Sequence, residues 1–153
     1  DKAPNTVENF LTYVRDGHYN GLIFHRVINN FMIQGGGYDA RYMEKPTRPP
    51  IKHEGAEVKA KGGPTNTVGT IAMARTNNPH SASSQFFINV NNNEFLNHSA
   101  PSAQGWGYVA FGKVVSGMEV VNKIKLSPTG AGGPFPSDVP KTPVLIISAS
   151  LNK

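Results

Sequence analysis

The first part of the chain has the apolar spacing of an amphipathic helix. Four apolar residues recur at the intervals i, i+3, i+4 and i+7, namely Val7, Phe10, Leu11 and Val14. Side chains at these intervals lie on one face of a helix. Pro4 stands before them, where a first helical turn tolerates proline, and Gly17 stands after them. The pattern therefore predicts a helix of about three turns near the start of the chain.

The remaining chain alternates between short apolar runs, which predict β-strands, and connections rich in Gly, Pro and Asn. The predicted strands cover residues 22–28, 31–35, 69–74, 85–90, 108–115 and 144–151. A second, shorter helix is predicted over residues 116–125. Residues 38–68 and 127–143 are predicted to be loops. Loops of this length are uncommon in compact domains unless they have a function. Many short strands and two helices predict a mostly β fold, a closed or nearly closed antiparallel barrel capped by helices.

Polar side chains interrupt the apolar strands at positions that suggest a binding surface. Because strand residues alternate between faces, Met32 shares a face with Gln34, and Gln85 shares one with Phe87. Arg26 lies on the face opposite its neighbours. If the other faces fill the barrel interior, these side chains form a mixed outer patch that suits a shallow binding site. From spacing alone an alternative stays open, in which Arg26 only covers apolar surface or pairs with a carboxylate.

Composition and charge narrow the class of protein. The 153 residues, 38% of them hydrophobic, suit one globular domain over residues 1–153. No apolar run reaches about eighteen residues, so we expect no membrane partner. The net charge of +5 comes from scattered lysines and arginines, which favours ordinary solubility over a nucleic-acid surface. Cysteine is absent, which excludes disulfides, thiolate metal sites and a cysteine nucleophile, and suits a reducing compartment.

Other patterns in the chain do not predict catalytic chemistry. The histidines are dispersed without the spacing of metal ligands, so we expect no metal site. They are His18, His25, His53, His80 and His98. The run of glycines from Gly35 to Gly37 lacks the GxGxxG pattern and a phosphate-binding lysine, and it suits a permissive turn. The serines of SASSQ have no partner histidine and acid at a recognisable spacing, which indicates loop hydrogen bonding.

Three segments carry a family resemblance that spans nearly the whole chain. FHRVINNFMIQGGG, GTIAMARTNNPHSASSQFFINV and FGKVVSGMEVV resemble the signature segments of cyclophilins, the peptidyl-prolyl cis-trans isomerases. The resemblance implies an eight-stranded antiparallel barrel closed by two helices, with the active site on the outer face of the barrel. It also implies an enzyme that needs no cofactor and acts on proline-containing peptides and unfolded chains, assisting protein folding.

The resemblance assigns roles to residues at matching positions. It implies that Arg26 is the catalytic arginine and that Gln34 steadies it. The implied substrate-binding residues are Phe31, Met32, Ala74, Arg75, Thr76, Gln85, Phe87, Phe95, Leu96 and Tyr108. Most of these form the proline pocket in the family, while the segment from Ala74 to Thr76 matches the part that holds the substrate backbone.

Three departures from the family pattern qualify these roles. Phe95 stands where many eukaryotic cyclophilins have tryptophan, so an indole N–H donor is missing and we expect weak cyclosporin binding. Tyr108 stands where the same relatives have histidine, and both changes resemble bacterial cyclophilins. The family also places two strands before its first helix, whereas this chain begins almost at that helix. We therefore expect that the chain lacks its true beginning, because an absent strand would leave unpaired edges.

The expected function is thus a monomeric peptidyl-prolyl cis-trans isomerase, with alternatives in other classes. One alternative is a peptide-binding module whose rate enhancement matters little. Another is a polyanion or RNA binder, which the charge allows but no RNP-like aromatic motif supports. We expect a cytoplasmic location, and a periplasmic one stays open because a signal peptide could have preceded the chain.

Overall fold

The computed structural model describes residues 2–102 and 104–152. Helix α1 spans Pro4–Arg15 and helix α3 spans Met118–Lys125, which confirms both predicted helices. Helix α3 begins later than predicted, after Gly117, which adopts a left-handed conformation with φ 84° that glycine takes without steric cost. A short helix, α2 at Gly55–Ala60, lies in a segment predicted to be loop.

The strands form two antiparallel sheets. Their bounds are β1 Arg26–Ile28, β2 Met32–Gly35, β3 Thr70–Met73, β4 Phe86–Asn89, β5 Ala110–Lys113, β6 Thr129–Gly132 and β7 Phe135–Pro140. The first five strands form one sheet in the order β1-β2-β4-β3-β5, and β6 pairs with β7. Strands β1 to β5 lie inside the predicted strands, each of them shorter than predicted. Asn30, with φ 65°, makes the turn between β1 and β2.

Two segments near the end of the chain differ from the prediction. The predicted loop over residues 127–143 contains the β6–β7 hairpin. The predicted strand over residues 144–151 forms no strand. Backbone-to-backbone hydrogen bonds join only its first residues to the chain, where Phe24 N–H donates to Val144 O at 3.1 Å and Ile146 N–H donates to Leu22 O at 2.7 Å. Beyond them Ile147 is 87% exposed and Ala149 N–H donates to a side chain, Asn20 Oδ1, at 3.0 Å, so the apolar run does not continue as a strand.

The expected closed eight-stranded barrel is not confirmed. Within residues 2–102 and 104–152 the chain forms seven strands, and β1 and β5 are the edges of an open sheet. Apolar alternation identifies residues that can form strands, but closure depends on which distant segments pair along each edge. The mostly β architecture with two principal helices is nevertheless the one predicted.

The helices cover only one face of the five-stranded sheet. On this inner face, Phe86 packs with Tyr13 of α1, and Ile33 packs with Val121 of α3. Burying an apolar side chain of this size stabilises the fold by about 1.5–3 kcal/mol. The opposite, outer face carries a separate apolar cluster of Met32, Ala72, Ala74, Phe87, Leu96 and Ala110. The helices therefore leave the outer face free to form a site, as strand alternation predicted.

In the described part of the chain, no helix is long and apolar enough to cross a membrane.

Candidate active site

One row of side chains crosses the outer face and joins a charged position to apolar ones. In register order the row is Arg26, Gln34, Phe87, Ala72 and Ala110. Arg26 is exposed at the edge strand, whereas Phe87 and Ala72 are buried in the centre of the sheet. The strand register therefore sets a guanidinium beside an apolar floor.

A small cleft of about 140 Å³ lies over this row. Its lining consists of Arg26, Phe31, Met32, Gln34, Ala74, Arg75, Phe87, Leu96 and Tyr108, all of them predicted site residues. The Tyr108 and Phe87 rings meet edge to face with their centroids 5.6 Å apart. Sites for drug-sized ligands measure roughly 300–1,000 Å³, so this cleft suits a single small apolar group.

Three predicted residues lie outside the cleft lining. Gln85 instead accepts a hydrogen bond from Gln34, whose Nε2 lies 3.0 Å from Gln85 Oε1. Phe95 is 74% exposed, and its ring stacks on that of Phe31 with the centroids 5.8 Å apart. Thr76 is exposed and bonds through its hydroxyl to the loop residue Ser81 at 2.8 Å. These residues border the cleft rather than form its walls.

The cleft contains two guanidinium groups that differ in their bonding. Arg75 donates from Nε to Gly107 O at 2.9 Å and from an Nη to Thr76 O at 2.8 Å. Its guanidinium also lies 4.6 Å from the centre of the Tyr108 ring, close enough for a cation–π contact. Among residues 2–102 and 104–152, Arg26 makes no side-chain hydrogen bond or ion pair. Of these two guanidinium groups, Arg26 is therefore the one that the described residues leave free to donate to a ligand.

His25 lies directly before Arg26 and, unlike Arg26, is buried. It is 4% exposed, and its ring packs against those of Tyr38 and Phe135 at centroid distances of 4.8 and 5.2 Å. Burial, with a smaller contribution from the charge of Arg26, lowers the pKa of His25 to about 4. The histidine is therefore neutral near pH 7, and the positive charge at this point belongs to Arg26.

A buried network of asparagines behind the cleft escaped the sequence analysis. Asn89 is fully buried and donates to Asn66 Oδ1 and to the Thr70 hydroxyl, both at 3.0 Å. Asn93 donates to Asn89 Oδ1 at 2.8 Å and also to the carbonyl of Phe31 at 2.8 Å. The network thus holds the backbone of a cleft wall. The signal was the run of asparagines in NVNNNEF, but spacing could not show that some of them are buried.

We expect Asn89→Leu to lower the free energy of unfolding by about 1 to 3 kcal/mol, because it leaves buried partners without hydrogen bonds. Urea denaturation measures this loss. Asn122→Leu on α3 is the matched control, since Asn122 is exposed. Equal stability of the two variants would contradict a structural role for the network.

No group of three or more His, Asp or Glu side chains suited to a metal ion occurs within the described ranges of the chain. His53, His98 and Trp106 do come together, but as packed rings with centroids 5.0 to 6.0 Å apart. His53 Nε2 lies 2.9 Å from the carbonyl oxygen of Gly107, the same oxygen that Arg75 binds. This histidine group therefore supports the loop behind Arg75.

The chain is similar in sequence to bacterial isomerases. It matches the family model for cyclophilin type peptidyl-prolyl cis-trans isomerase/CLD over residues 1–151. It is 56% identical over 153 residues to peptidyl-prolyl cis-trans isomerase B of Escherichia coli (strain K12), across all of this chain and 90% of that protein. It is 53% identical over 150 residues to peptidyl-prolyl cis-trans isomerase cyp18 of Streptomyces antibioticus, across 98% of this chain and 87% of that protein.

The chain is also similar to solved cyclophilin structures. A cyclophilin type peptidyl-prolyl cis-trans isomerase from Cryptosporidium parvum, crystallised in the presence of the dipeptide Ala-Pro, is 26% identical with a TM-score of 0.67. That match covers 99% of this chain and 87% of the other. Cyclophilin AquaCyp293 from Hirschia baltica shares the fold with a TM-score of 0.72 at 24% identity, across 97% of this chain and 65% of the other. The chain therefore belongs to the cyclophilin-type peptidyl-prolyl cis-trans isomerases and is an enzyme of the isomerase class.

Proposed function

We propose that this protein catalyses rotation about X-Pro peptide bonds, with Arg26 stabilising the twisted amide. The partial double-bond character of the peptide bond makes a barrier of about 18–20 kcal/mol. As the amide twists, resonance is lost and the proline nitrogen becomes a hydrogen-bond acceptor, which it is not in the planar ground state. A donor aimed at that nitrogen therefore binds the transition state more strongly than the substrate, which is the condition for raising the rate.

One observation carries this proposal: the guanidinium of Arg26 lies at the rim of an apolar cleft and has no hydrogen-bond partner among the described residues. The cleft is small enough for one proline ring. Its floor of Met32 and Phe87 is 2% and 4% exposed, so a ring bound there is largely removed from water. A charge-assisted hydrogen bond in such a setting is worth about 1.5–3 kcal/mol, and a well-placed donor reaches about 4. Arg75 is a weaker candidate because two carbonyls already bind it.

Gln34 has the geometry to orient Arg26. The two residues lie directly opposite one another in the β1–β2 pair. The Gln34 side-chain nitrogen is engaged by Gln85, which sets the orientation of the amide. Its side-chain oxygen accepts no hydrogen bond from residues 2–102 and 104–152, and it can accept one from the guanidinium. A hydrogen bond to Gln34 would restrict the flexible Arg26 side chain and keep its N–H donor oriented toward the substrate.

The reaction needs no cofactor, because no covalent bond breaks. Uncatalysed X-Pro isomerisation takes tens to hundreds of seconds and can limit folding. We therefore assign the protein a role in assisting the folding of proline-containing chains. A cytoplasmic setting accords with the absence of cysteine, and cell fractionation with a specific antibody tests it.

An NMR exchange assay on a short Ala-Pro peptide tests the proposed activity. We expect the protein to accelerate cis-trans exchange at substoichiometric concentration, without any added metal or nucleotide. Tight binding of the peptide with no acceleration would instead support a peptide-binding module.

The exposed Phe95 provides a prediction about inhibitor binding. The family resemblance implies that cyclosporin is gripped in part by an indole donor, and phenylalanine has none. We expect Phe95→Trp to tighten cyclosporin several-fold to about tenfold, because such a hydrogen bond contributes about 0.5–1.5 kcal/mol. Since the Phe95 ring is 74% exposed, the larger indole fits without displacing core residues. Isothermal titration calorimetry measures the affinity, and unchanged binding would refute the assigned role of the missing donor.

A further inference from the structure

A second cavity adjoins the cleft on the far side of Arg26. It measures about 350 Å³ and is bounded by Arg26 and Gln34 of the sheet, by His25, Tyr38 and Gln85, and by the β6–β7 hairpin. Arg26 and Gln34 line both cavities, so these two side chains form the border between them. On the hairpin side the walls are Phe135, Ser137 and Asp138. A peptide held at Arg26 therefore has a neighbouring residue within reach of this cavity, because consecutive Cα atoms are about 3.8 Å apart.

Aromatic packing fixes the position of the hairpin. The ring of Phe135 meets that of Tyr38 edge to face with the centroids 5.0 Å apart and also packs on His25. Strand β7 lies beside β1, the strand that carries Arg26. The hairpin wall of the cavity therefore packs beside β1, the strand that carries Arg26.

Asp138 presents the acidic charge of this cavity. It adopts a left-handed backbone conformation with φ 68°, and the Ser137 hydroxyl lies 3.2 Å from its Oδ2. Across residues 2–102 and 104–152, the ion pairs are Arg15 with Glu8 and Arg48 with Asp16, so Asp138 has no cationic partner. Its carboxylate is therefore available to a cation from a ligand.

We propose that this cavity is a subsite for the residue next to proline and that Asp138 makes it prefer lysine or arginine. The inference rests on the proposed isomerase function. Tyr38 and Phe135, which line the cavity, offer apolar surface to the aliphatic stem of such a side chain. An acidic residue would instead meet Asp138 with like charge and would compete with the prolyl nitrogen for Arg26.

Matched peptides test the preference. One series carries Lys, Ala or Glu immediately before proline, and a second carries them immediately after it, because either neighbour could occupy the cavity. NMR exchange gives kcat/KM for each peptide relative to its own uncatalysed rate. We expect Lys to exceed Glu by about three- to tenfold in one series, the size of effect that a partly exposed charge pair produces.

Asp138→Asn is the decisive variant, since asparagine keeps the shape and tolerates the left-handed backbone. The Lys-to-Glu ratio should fall to about one. Glu119→Gln removes the same charge from an exposed position on α3 and should leave the ratio as in the wild type. A ratio near one in the wild type, or a preference that survives Asp138→Asn, would overturn the inference. Normal turnover of the Ala peptide without charge preference contradicts the subsite alone, whereas absence of all turnover contradicts the isomerase function as well.

Discussion

Replacing Arg26 with alanine should lower kcat/KM for an X-Pro peptide by about ten- to a thousandfold, which corresponds to roughly 1.4–4 kcal/mol of lost transition-state stabilisation. The substitution removes the free donor at the cleft rim and leaves the apolar floor intact. Because Arg26 is exposed and unpaired among the described residues, the free energy of unfolding should change far less. NMR exchange measures the activity, and urea denaturation measures the stability.

Arg26→Lys distinguishes a directed hydrogen bond from simple electrostatic attraction. Lysine keeps the charge but lacks the planar fork that Gln34 can orient, so this variant should also be slow. Attraction alone would let lysine restore activity. It would also make the wild type sensitive to salt, because the Debye length falls from about 10 Å at 0.1 M to about 3 Å at 1 M. Full turnover by the lysine variant together with a salt-sensitive wild type would refute the directed bond.

Lowering the pH from about 7 to 4 should reduce the free energy of unfolding by roughly 3 kcal/mol through His25 alone. The pKa of this histidine is about 4 in the folded protein, against 6.5 for an ordinary histidine. Between these two pH values His25 is protonated in the unfolded chain but neutral in the folded protein, so falling pH favours unfolding. Above pH 6.5 both states are neutral and below pH 4 both are protonated, so the effect is confined to this window. Burial also lowers the pKa values of His18 and His53, which adds in the same direction.

Urea denaturation at several pH values measures this dependence, and His25→Phe is the diagnostic variant. Phenylalanine can keep the packing against Tyr38 and Phe135, and His25 Nδ1 has no hydrogen-bond partner in the described ranges to lose. The variant should lose less stability than the wild type between pH 7 and 4, although the other buried histidines still contribute. An identical pH dependence in both proteins would show that His25 is not the source.

Local patterns in the sequence were enough to locate the principal elements and the face that carries the candidate site. Apolar periodicity depends only on near neighbours, so it identified α1, α3 and the cores of strands β1 to β5. The same alternation separated Arg26 from Val27 and put Gln34 and Phe87 on one surface. Together with the family resemblance, this predicted every residue that lines the 140 Å³ cleft.

The hairpin and the sheet edges could not be predicted in the same way. The β6 segment TGAG consists of small residues and shows no alternation of apolar and polar side chains. The β7 segment FPSDVP contains prolines, which usually indicate loops. Their pairing is recognisable only once the chain has folded. For residues 144–151 the error was the reverse, since the apolar pattern predicted a strand where only the first residues make backbone-to-backbone hydrogen bonds.

The sequence by itself determined which residue types lie on the outer face, because that follows from the two-residue period of a strand. Only the tertiary structure decided how those side chains are bonded. Arg75 donates a hydrogen bond to Gly107 O, 32 residues away, while Arg26 has no side-chain hydrogen bond or ion pair with residues 2–102 and 104–152. The hairpin that carries Asp138 lines one cavity together with Arg26, although Asp138 lies more than 100 positions further along the chain. Such approaches arise from packing between distant segments, on which the spacing within one segment carries no information.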